Sequence, residues 1–350
     1  MTEAHLNRIA TATPRHEVHD TFRRFAGHQI ADPSIATAFA RLAERSQVRQ
    51  RWSVLEPLAD ATGTADGFYR LDRFPGTAAR MARYQEEAPA LARIALDRLD
   101  FDGGEVTHLV LATCTGFAAP GLDHRIIRDY GLPNDVERTV VGFMGCQAAI
   151  NALKLARHAV RSDPRARVLV VNLELCTLHL QPSSELEQLL CFLLFADGCS
   201  AALVTAEEEG FRLDGFHAAL FHDASDQITW HVGDSGFDMT LAGTVPLTLA
   251  RALPDHARAI LGGANTAEVD HWAVHPGGRS VLDAVTHGLD IPPEALATSR
   301  AVLREKGNMS SATVMFVLEA MLARAERGQR GVALAFGPGL SAETMRFTAC

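Results

Sequence analysis

Apolar positions along the chain fall into two kinds of run. The stretches H-L-V-L-A-T (108–113), R-V-L-V-V-N-L-E-L (167–175) and C-S-A-A-L-V-T (199–205) are continuous rather than alternating, the pattern of strands covered on both faces of a sheet. Ala149, Leu153, Ala156 and Val160 recur instead at helical spacing. The pattern then repeats. D-H-W-A-V-H-P-G-G (270–278) answers H-L-V-L-A-T-C-T-G (108–116), G-N-M-S-S-A-T-V-M-F-V-L-E-A (307–320) answers G-C-Q-A-A-I-N-A-L-K-L-A (145–156), and G-V-A-L-A-F-G-P-G (331–339) answers R-V-L-V-V-N-L-E-L. Cys114 and Cys146 are 32 residues apart and His275 and Asn308 are 33 apart, so strand and helix are equally spaced in both copies. This predicts a duplicated α/β unit. The acidic E-E-E-G at 207–210 marks the expected boundary, giving halves 1–207 and 208–350.

The run V-V-G-F-M-G-C-Q-A-A-I (140–150) places Cys146 where a glycine-broken apolar segment becomes a helix. A thiol there faces free N–H groups and the positive end of the helix dipole, which predicts a pKa lowered from about 8.5 toward neutrality. The alternative is a buried cysteine acting as a small hydrophobe. Two partners favour the nucleophile. His275, in a loop stiffened by Pro276, Gly277 and Gly278, can supply an imidazolium. Asn308, opening its own helix after Gly307, can donate an amide N–H to a developing oxyanion. In a duplicated frame, first-strand loops and helix starts converge near a pseudo-twofold axis, which would bring all three together.

Composition narrows the class. The 350 residues are 47% hydrophobic, enough for a wide core, and no apolar run approaches the roughly 20 residues of a membrane span. The start M-T-E-A-H-L-N-R has no signal-peptide core, so a cytosolic location is expected. Six cysteines without Cys-x-x-Cys pairs point to reduced thiols rather than a zinc site. The net charge of −9 argues against general nucleic-acid binding but leaves room for a local basic patch. One such patch is F-A-R-L-A-E-R-S-Q-V-R-Q-R-W (39–52), where Arg41, Arg45 and Arg49 recur on one helix face. Such a face either meets solvent or grips phosphate oxygens.

The motifs G-F-M-G-C (142–146), L-F-A-D-G-C-S-A-A (194–202), W-A-V-H-P-G-G-R-S-V-L-D (272–283), G-N-M-S-S-A (307–312) and A-F-G-P-G-L-S-A-E-T (335–344) together resemble the type III polyketide synthases. These are relatives of chalcone and stilbene synthase among the thiolase-like condensing enzymes. The resemblance implies a layered αβαβα fold and an enzyme that condenses malonyl-CoA, with loss of CO2, onto an acyl-CoA starter, iteratively and without a resident cofactor or metal. It implies that Cys146 holds the acyl chain, that His275 is its ion-pair partner, and that His275 and Asn308 hold the enolate oxygen. Phe195 matches the gatekeeper between the CoA tunnel and the cavity, and Arg41 and Arg45 match phosphate contacts, with Ala38 at a third cationic position. Cys114, Thr115, Cys176, His179, Cys191, Trp230, Met239 and Ser310 fall on substrate-cavity positions. The resemblance also implies a homodimer in which the loop C-T-G-F-A-A-P-G, through Ala119, reaches the neighbour's cavity. A carrier-protein-dependent ketoacyl synthase and a catalytically silent, partner-binding paralogue are the competing readings.

Departures from the family pattern concern the product. Met239 stands at a second gatekeeper position, Trp230 at a cavity-lining glycine, and Cys176, His179 and Cys191 at small or hydroxylated positions. L-E-L-C-T-L-H-L-Q-P-S looks like the bacterial branch, whose members often take fatty acyl starters. Ala335, at the first glycine of the family's G-F-G-P-G loop, is expected to tilt the cavity floor.

Overall fold

The computed structural model describes residues 2–350. Nine of the strands in this range form one mixed sheet: β1 (His5–Ala12), β2 (His108–Thr113), β3 (Glu137–Gly142), β4 (Val168–Leu175), β5 (Asp197–Thr205), β6 (Phe211–Leu220), β7 (His271–Val274), β8 (Arg330–Gly337) and β9 (Ser341–Ala349). Their order is β7-β8-β9-β6-β1-β5-β4-β2-β3. The two copies of the repeat meet at β1 and β6, which pair only at His5 with Arg212 and Leu6 with Phe211. On each side the same motif recurs. Strand β2 runs parallel to β4 and β4 antiparallel to β5; β7 runs parallel to β8 and β8 antiparallel to β9. The first copy alone adds an edge strand, β3, of which the first four residues are exposed.

The continuous apolar strands are explained by which core each residue enters. In β2, Leu109 and Leu111 join one cluster while Val110 and Ala112 join another; in β8, Ala333 and Ala335 face one way and Val332, Leu334 and Phe336 the other. Successive side chains point to opposite faces, so a strand buried on both sides must be apolar throughout. Helix Thr77–Arg98 covers the outer face of the first copy through Leu91, Ala95 and Leu96. Helices Val245–Leu261 and Arg279–Gly288 cover the second through Leu249, Leu253, Leu282 and Val285. Between the copies lie helices Ala148–Ser162 and Thr313–Leu322, whose residues share one cluster with strands of both. The layers therefore run helix, sheet, helix, sheet, helix. Alanines at 148, 149, 152 and 156 let the central helices approach both sheets closely.

One expectation is corrected. The basic strip is helical only over Pro33–Arg45; Ser46 Oγ donates to the carbonyl of Ala43 and Gln47 takes φ 63°, so the helix stops. Arg49 lies beyond it, its N–H donating to the carbonyl of Arg304. Ala335 is fully buried in the central layer, directly before Phe336, Gly337 and Pro338, which line the cavity. No helix among the described residues is long and apolar enough to cross a membrane.

The layering fixes what neighbouring leucines on one helix contribute. Leu153 is fully buried, whereas Leu155 is 40% exposed. Leu153→Ala is expected to cost about 2–5 kcal/mol of unfolding free energy and Leu155→Ala under about 1 kcal/mol, read from urea midpoints. Equal losses would place the helix outside the central layer.

Candidate active site

Cys146 sits in the single 3-10 turn Gly145–Gln147, which runs directly into helix Ala148–Ser162. The approach is sharply folded: Phe143 has φ 55° and Gly145 φ 63°. A side chain at Gly145 is doubly excluded, because its Cβ would also lie 2.3 Å from Pro338 Cδ. The C-terminal G-P-G motif thus packs against the nucleophile turn.

Asn308 follows Gly307, whose φ of 76° and close approach to Arg51 and the carbonyl of Leu194 again exclude a side chain. The backbone of Asn308 is clamped to the end of helix Leu186–Leu194: its N–H donates to the carbonyl of Leu194, and its carbonyl accepts from Ala196 N–H, each at 2.8 Å. Asn308 Oδ1 accepts from the N–H of Ser310 at 2.9 Å, which leaves the amide NH2 as the group turned to the cavity; it donates to the Gly277 carbonyl at 3.3 Å and lies within reach of the Cys146 sulfur. Ser310 itself is held at φ 46°, a strained left-handed conformation, with Oγ 3.7 Å from Cys146 Sγ. His275 follows β7, its N–H donating to the carbonyl of Leu334 at 2.8 Å. Its ring is buried, and neither ring nitrogen has a hydrogen-bond partner in the chain. All four residues line one cavity with about 900 Å³ of empty space.

Burial dominates the electrostatics. It pushes the Cys146 thiol up to about 12, with the Glu174 carboxyl opposing the thiolate further while bonds to Ser310 and Asn308 favour it. It pulls His275 down to about 3. The expected dipole-lowered thiol and standing imidazolium are therefore not those of either group ionised alone: desolvation outweighs the helix start. A proton passed from Sγ to the imidazole creates both charges together, each offsetting the other's desolvation.

Glu174 is a member of this site that sequence reasoning passed over. It is fully buried, and burial raises its carboxyl to about 7 against hydrogen bonds that favour the charge. Oε2 accepts from Cys114 N–H and Thr115 Oγ1, and Oε1 from Ser311 Oγ at 2.6 Å. The signal was one acidic residue inside a strand whose only other polar member is Asn172.

The cavity wall collects most of the other expected residues. Cys114, Thr115, Cys176, His179, Cys191, Phe195, Trp230 and Met239 all line it. Cys114 Sγ accepts from Gly145 N–H at 3.2 Å. Trp230 and Met239 stand opposite each other on the hairpin Ile228–Gly233/Gly236–Leu241. Trp230 Nε1 donates to the Cys114 carbonyl at 3.0 Å. His179 Nε2 donates to the Thr115 carbonyl at 2.7 Å and Nδ1 accepts from Phe237 N–H, while its ring stacks on Phe237 with centroids 4.2 Å apart. Burial pulls His179 to about 4, so this wall is neutral. Three expected residues lie elsewhere. Arg41 and Arg45 are exposed on helix Pro33–Arg45, which packs through Phe39 and Ala43 against Leu189 and Leu193 of the helix leading to Phe195. Ala119 is exposed on its loop, outside this chain's own cavity. Among the described residues no cluster of three or more His, Cys, Asp or Glu side chains could hold a metal ion.

The chain matches the models of the chalcone and stilbene synthase N-terminal domain over residues 3–208 and C-terminal domain over residues 217–349. It is 34% identical to the alpha-pyrone synthesis polyketide synthase-like Pks18 of Mycobacterium tuberculosis, over 99% of this chain and 91% of that protein. It is 30% identical to the 1,3,6,8-tetrahydroxynaphthalene synthase of Streptomyces coelicolor, over 97% of this chain and 91% of that one. Its fold superposes on the crystal structure of the latter with TM-score 0.87 and 28% identity, covering 100% and 99% of the two chains. The corresponding values for PKS-I of the brown alga Ectocarpus siliculosus are 0.88, 27%, 100% and 99%. With a cysteine, a histidine and an asparagine meeting where two α/β copies join, the chain belongs to the chalcone and stilbene synthase family and is a type III polyketide synthase.

Proposed function

We propose that the chain loads an acyl group from an acyl-CoA starter onto Cys146 and extends it with malonyl-CoA units. In loading, Cys146 Sγ passes its proton to His275 and attacks the starter carbonyl; the C–S bond to CoA breaks, and His275 returns the proton to the departing thiolate. In extension, the malonyl C–CO2 bond breaks and its electron pair becomes an enolate. A ring N–H of His275 and the Asn308 amide hold the enolate oxygen. The enolate carbon then attacks the Cys146 thioester and expels Cys146 as thiolate, leaving a chain longer by two carbons on CoA; for the next round that thiolate attacks the new thioester to reload the chain, and the departing CoA thiolate takes its proton from water. Nucleophile, base and oxyanion donors all come from side chains, so the scheme calls for no resident cofactor. The observation that carries it is the shared cavity of Cys146, His275, Asn308 and Ser310, in which the Asn308 amide is turned by its bond to Ser310 N–H. Arg41 and Arg45 would receive the CoA phosphates, at the outer end of the helix pair that leads to Phe195.

The starter proposed is a linear alkyl chain. Cys146, Met239 and Leu241 pack with Cys176, Cys191 and Phe195 into one apolar, sulfur-rich wall, and the Trp230–His179–Phe237 aromatic cluster closes the side where a family glycine would leave room. Each buried methylene adds up to about 0.8 kcal/mol. With malonyl-CoA and no carrier protein, kcat/KM is expected to rise from C6 to C10 to C14 acyl-CoA and to exceed that for coumaroyl-CoA, and Cys146→Ala to give no product with any starter. A preference for coumaroyl-CoA would overturn the alkyl starter; substantial product from Cys146→Ala would overturn the nucleophile.

A homodimer is also proposed. Edge strand β3 has Val140 50% exposed, and Phe117, 43% exposed, stacks on Phe143 beside it. An open edge carrying apolar side chains invites a second copy, which would place each Ala119 loop near the neighbouring subunit. Sedimentation at micromolar concentration should give twice the 37.8 kDa chain mass; a monomer would contradict it.

A further inference from the structure

Helix Leu186–Leu194 ends immediately before the gate residue Phe195, where Phe195 and Ala196 are both buried. The last carbonyls of a helix have no partner within it and form the negative end of its dipole. Here two residues from distant parts of the chain take them. Asn308 N–H donates to the carbonyl of Leu194 at 2.8 Å. Arg51 Nη1 donates to the carbonyl of Phe192 at 2.9 Å and, just past the helix, to that of Phe195 at 2.6 Å.

Arg51 is 2% exposed, and among the described residues its guanidinium has only neutral hydrogen-bond partners: the two carbonyls and His19 Nδ1, which accepts from Nε at 3.2 Å. Burial, and then Arg51 and Arg23, pull His19 to about 3, so that ring is uncharged. Burial lowers Arg51 to about 10, against the through-space pull of Glu17 and Asp197, and it stays a cation at neutral pH. A buried cation is costly unless hydrogen-bonded dipoles compensate it, and the helix end supplies them. Its backbone is fixed as well. Val18 N–H donates to the Arg51 carbonyl at 2.9 Å, and Glu17 Oε1 accepts from the N–H groups of His19 and Arg51 at 2.7 and 3.3 Å. The side chain also packs on Gly307, where a Cβ would lie 2.8 Å from Arg51 Cγ. The next residue is Asn308, whose carbonyl accepts from Ala196 N–H. Arg51 therefore touches both the gate segment and the turn that carries the amide, yet it does not line the nucleophile cavity.

We propose that Arg51 is a positioning residue for the extension step. By capping the helix before Phe195 and packing against Gly307, it holds the Asn308 amide where the enolate oxygen forms, a placement on which rate depends steeply. Loading lies outside this frame, since it uses Cys146 at the start of a central helix and His275 at the end of β7, neither of them bonded to Arg51. The proposal rests on the assignment of Asn308 to the enolate oxygen.

The test separates the two steps in the full chain, in the parent, Arg51→Met, Arg51→Lys and Asn308→Ala. Loading is followed as hexanoyl-Cys146 by mass spectrometry at saturating hexanoyl-CoA, extension as labelled CO2 released from carboxyl-labelled malonyl-CoA, and folding by urea midpoint. Arg51→Met keeps an apolar stem without donors, and Arg51→Lys keeps the charge on one nitrogen. Loading within about threefold of the parent is expected in both Arg51 variants, with CO2 release at least tenfold slower in Arg51→Met and intermediate in Arg51→Lys. Asn308→Ala should show the same split, which ties the loss to the amide. Loading and release that fall together would make Arg51 a general support of the fold and overturn the proposal, as would parental release in Arg51→Met. If Arg51→Met gives no folded protein, Arg51→Lys decides: slowed release at unchanged loading supports the proposal, and parental release overturns it. A parent that forms no hexanoyl-Cys146, or parental CO2 release in Asn308→Ala, would instead overturn the assignment on which the proposal rests.

Discussion

Burial disfavours a lone charge in the cavity where the two copies meet, and most of the site follows from that constraint. Burial alone drives Cys146 toward the thiol, His275 toward neutral imidazole and Glu174 toward the protonated acid. Chemistry that needs a thiolate must therefore make its counter-charge in the same step. A neutral His275 with no fixed hydrogen-bond partner suits that exchange, since a bonded carboxylate would have locked its charge. The same neutrality suits the enolate, whose oxygen would meet N–H donors not already committed elsewhere.

The fold supplies the dryness. Cys146 and Ser310 each lie in a single 3-10 turn that opens a helix of the central layer, and those helices share one core with strands of both copies. Close contacts then fix the turns that carry Cys146 and Asn308: Gly145 on Pro338, Gly307 on Arg51 and Leu194, and the backbone of Asn308 on both ends of the Leu194–Ala196 segment. Phe195, between those two bonds, is thereby held beside the backbone of Asn308 in a single parallel bridge.

What was legible in the sequence was whatever the duplication repeats. Equal spacing of Cys114 to Cys146 and of His275 to Asn308 exposed the convergence of the triad, because a repeated strand–helix unit constrains geometry across long separations. Continuous apolar strands announced a sheet covered on both faces. Less legible was anything set by environment rather than by position. The helix start at Cys146 argued for a lowered thiol pKa, and the depth of the cavity reverses it. Arg49 followed the i, i+4 pattern but lies past a helix that Gln47 ends. The sequence did not show that Ala335 enters the central core; strand alternation puts it there. Glu174 was overlooked because one acid in an apolar run reads as an interruption until its three donors are seen.

The central claim is that Cys146 becomes reactive only through a joint proton exchange with His275. Its most direct measurement is the rate of iodoacetamide alkylation of Cys146 against pH in the parent and in His275→Ala. The parent is expected to react readily at neutral pH, with His275→Ala at least tenfold slower at pH 6–7 and gaining rate steadily as pH climbs toward the lone thiol's pKa of about 12. Superimposable profiles for the two proteins would contradict the account, leaving the helix start to ionise the thiol without the histidine.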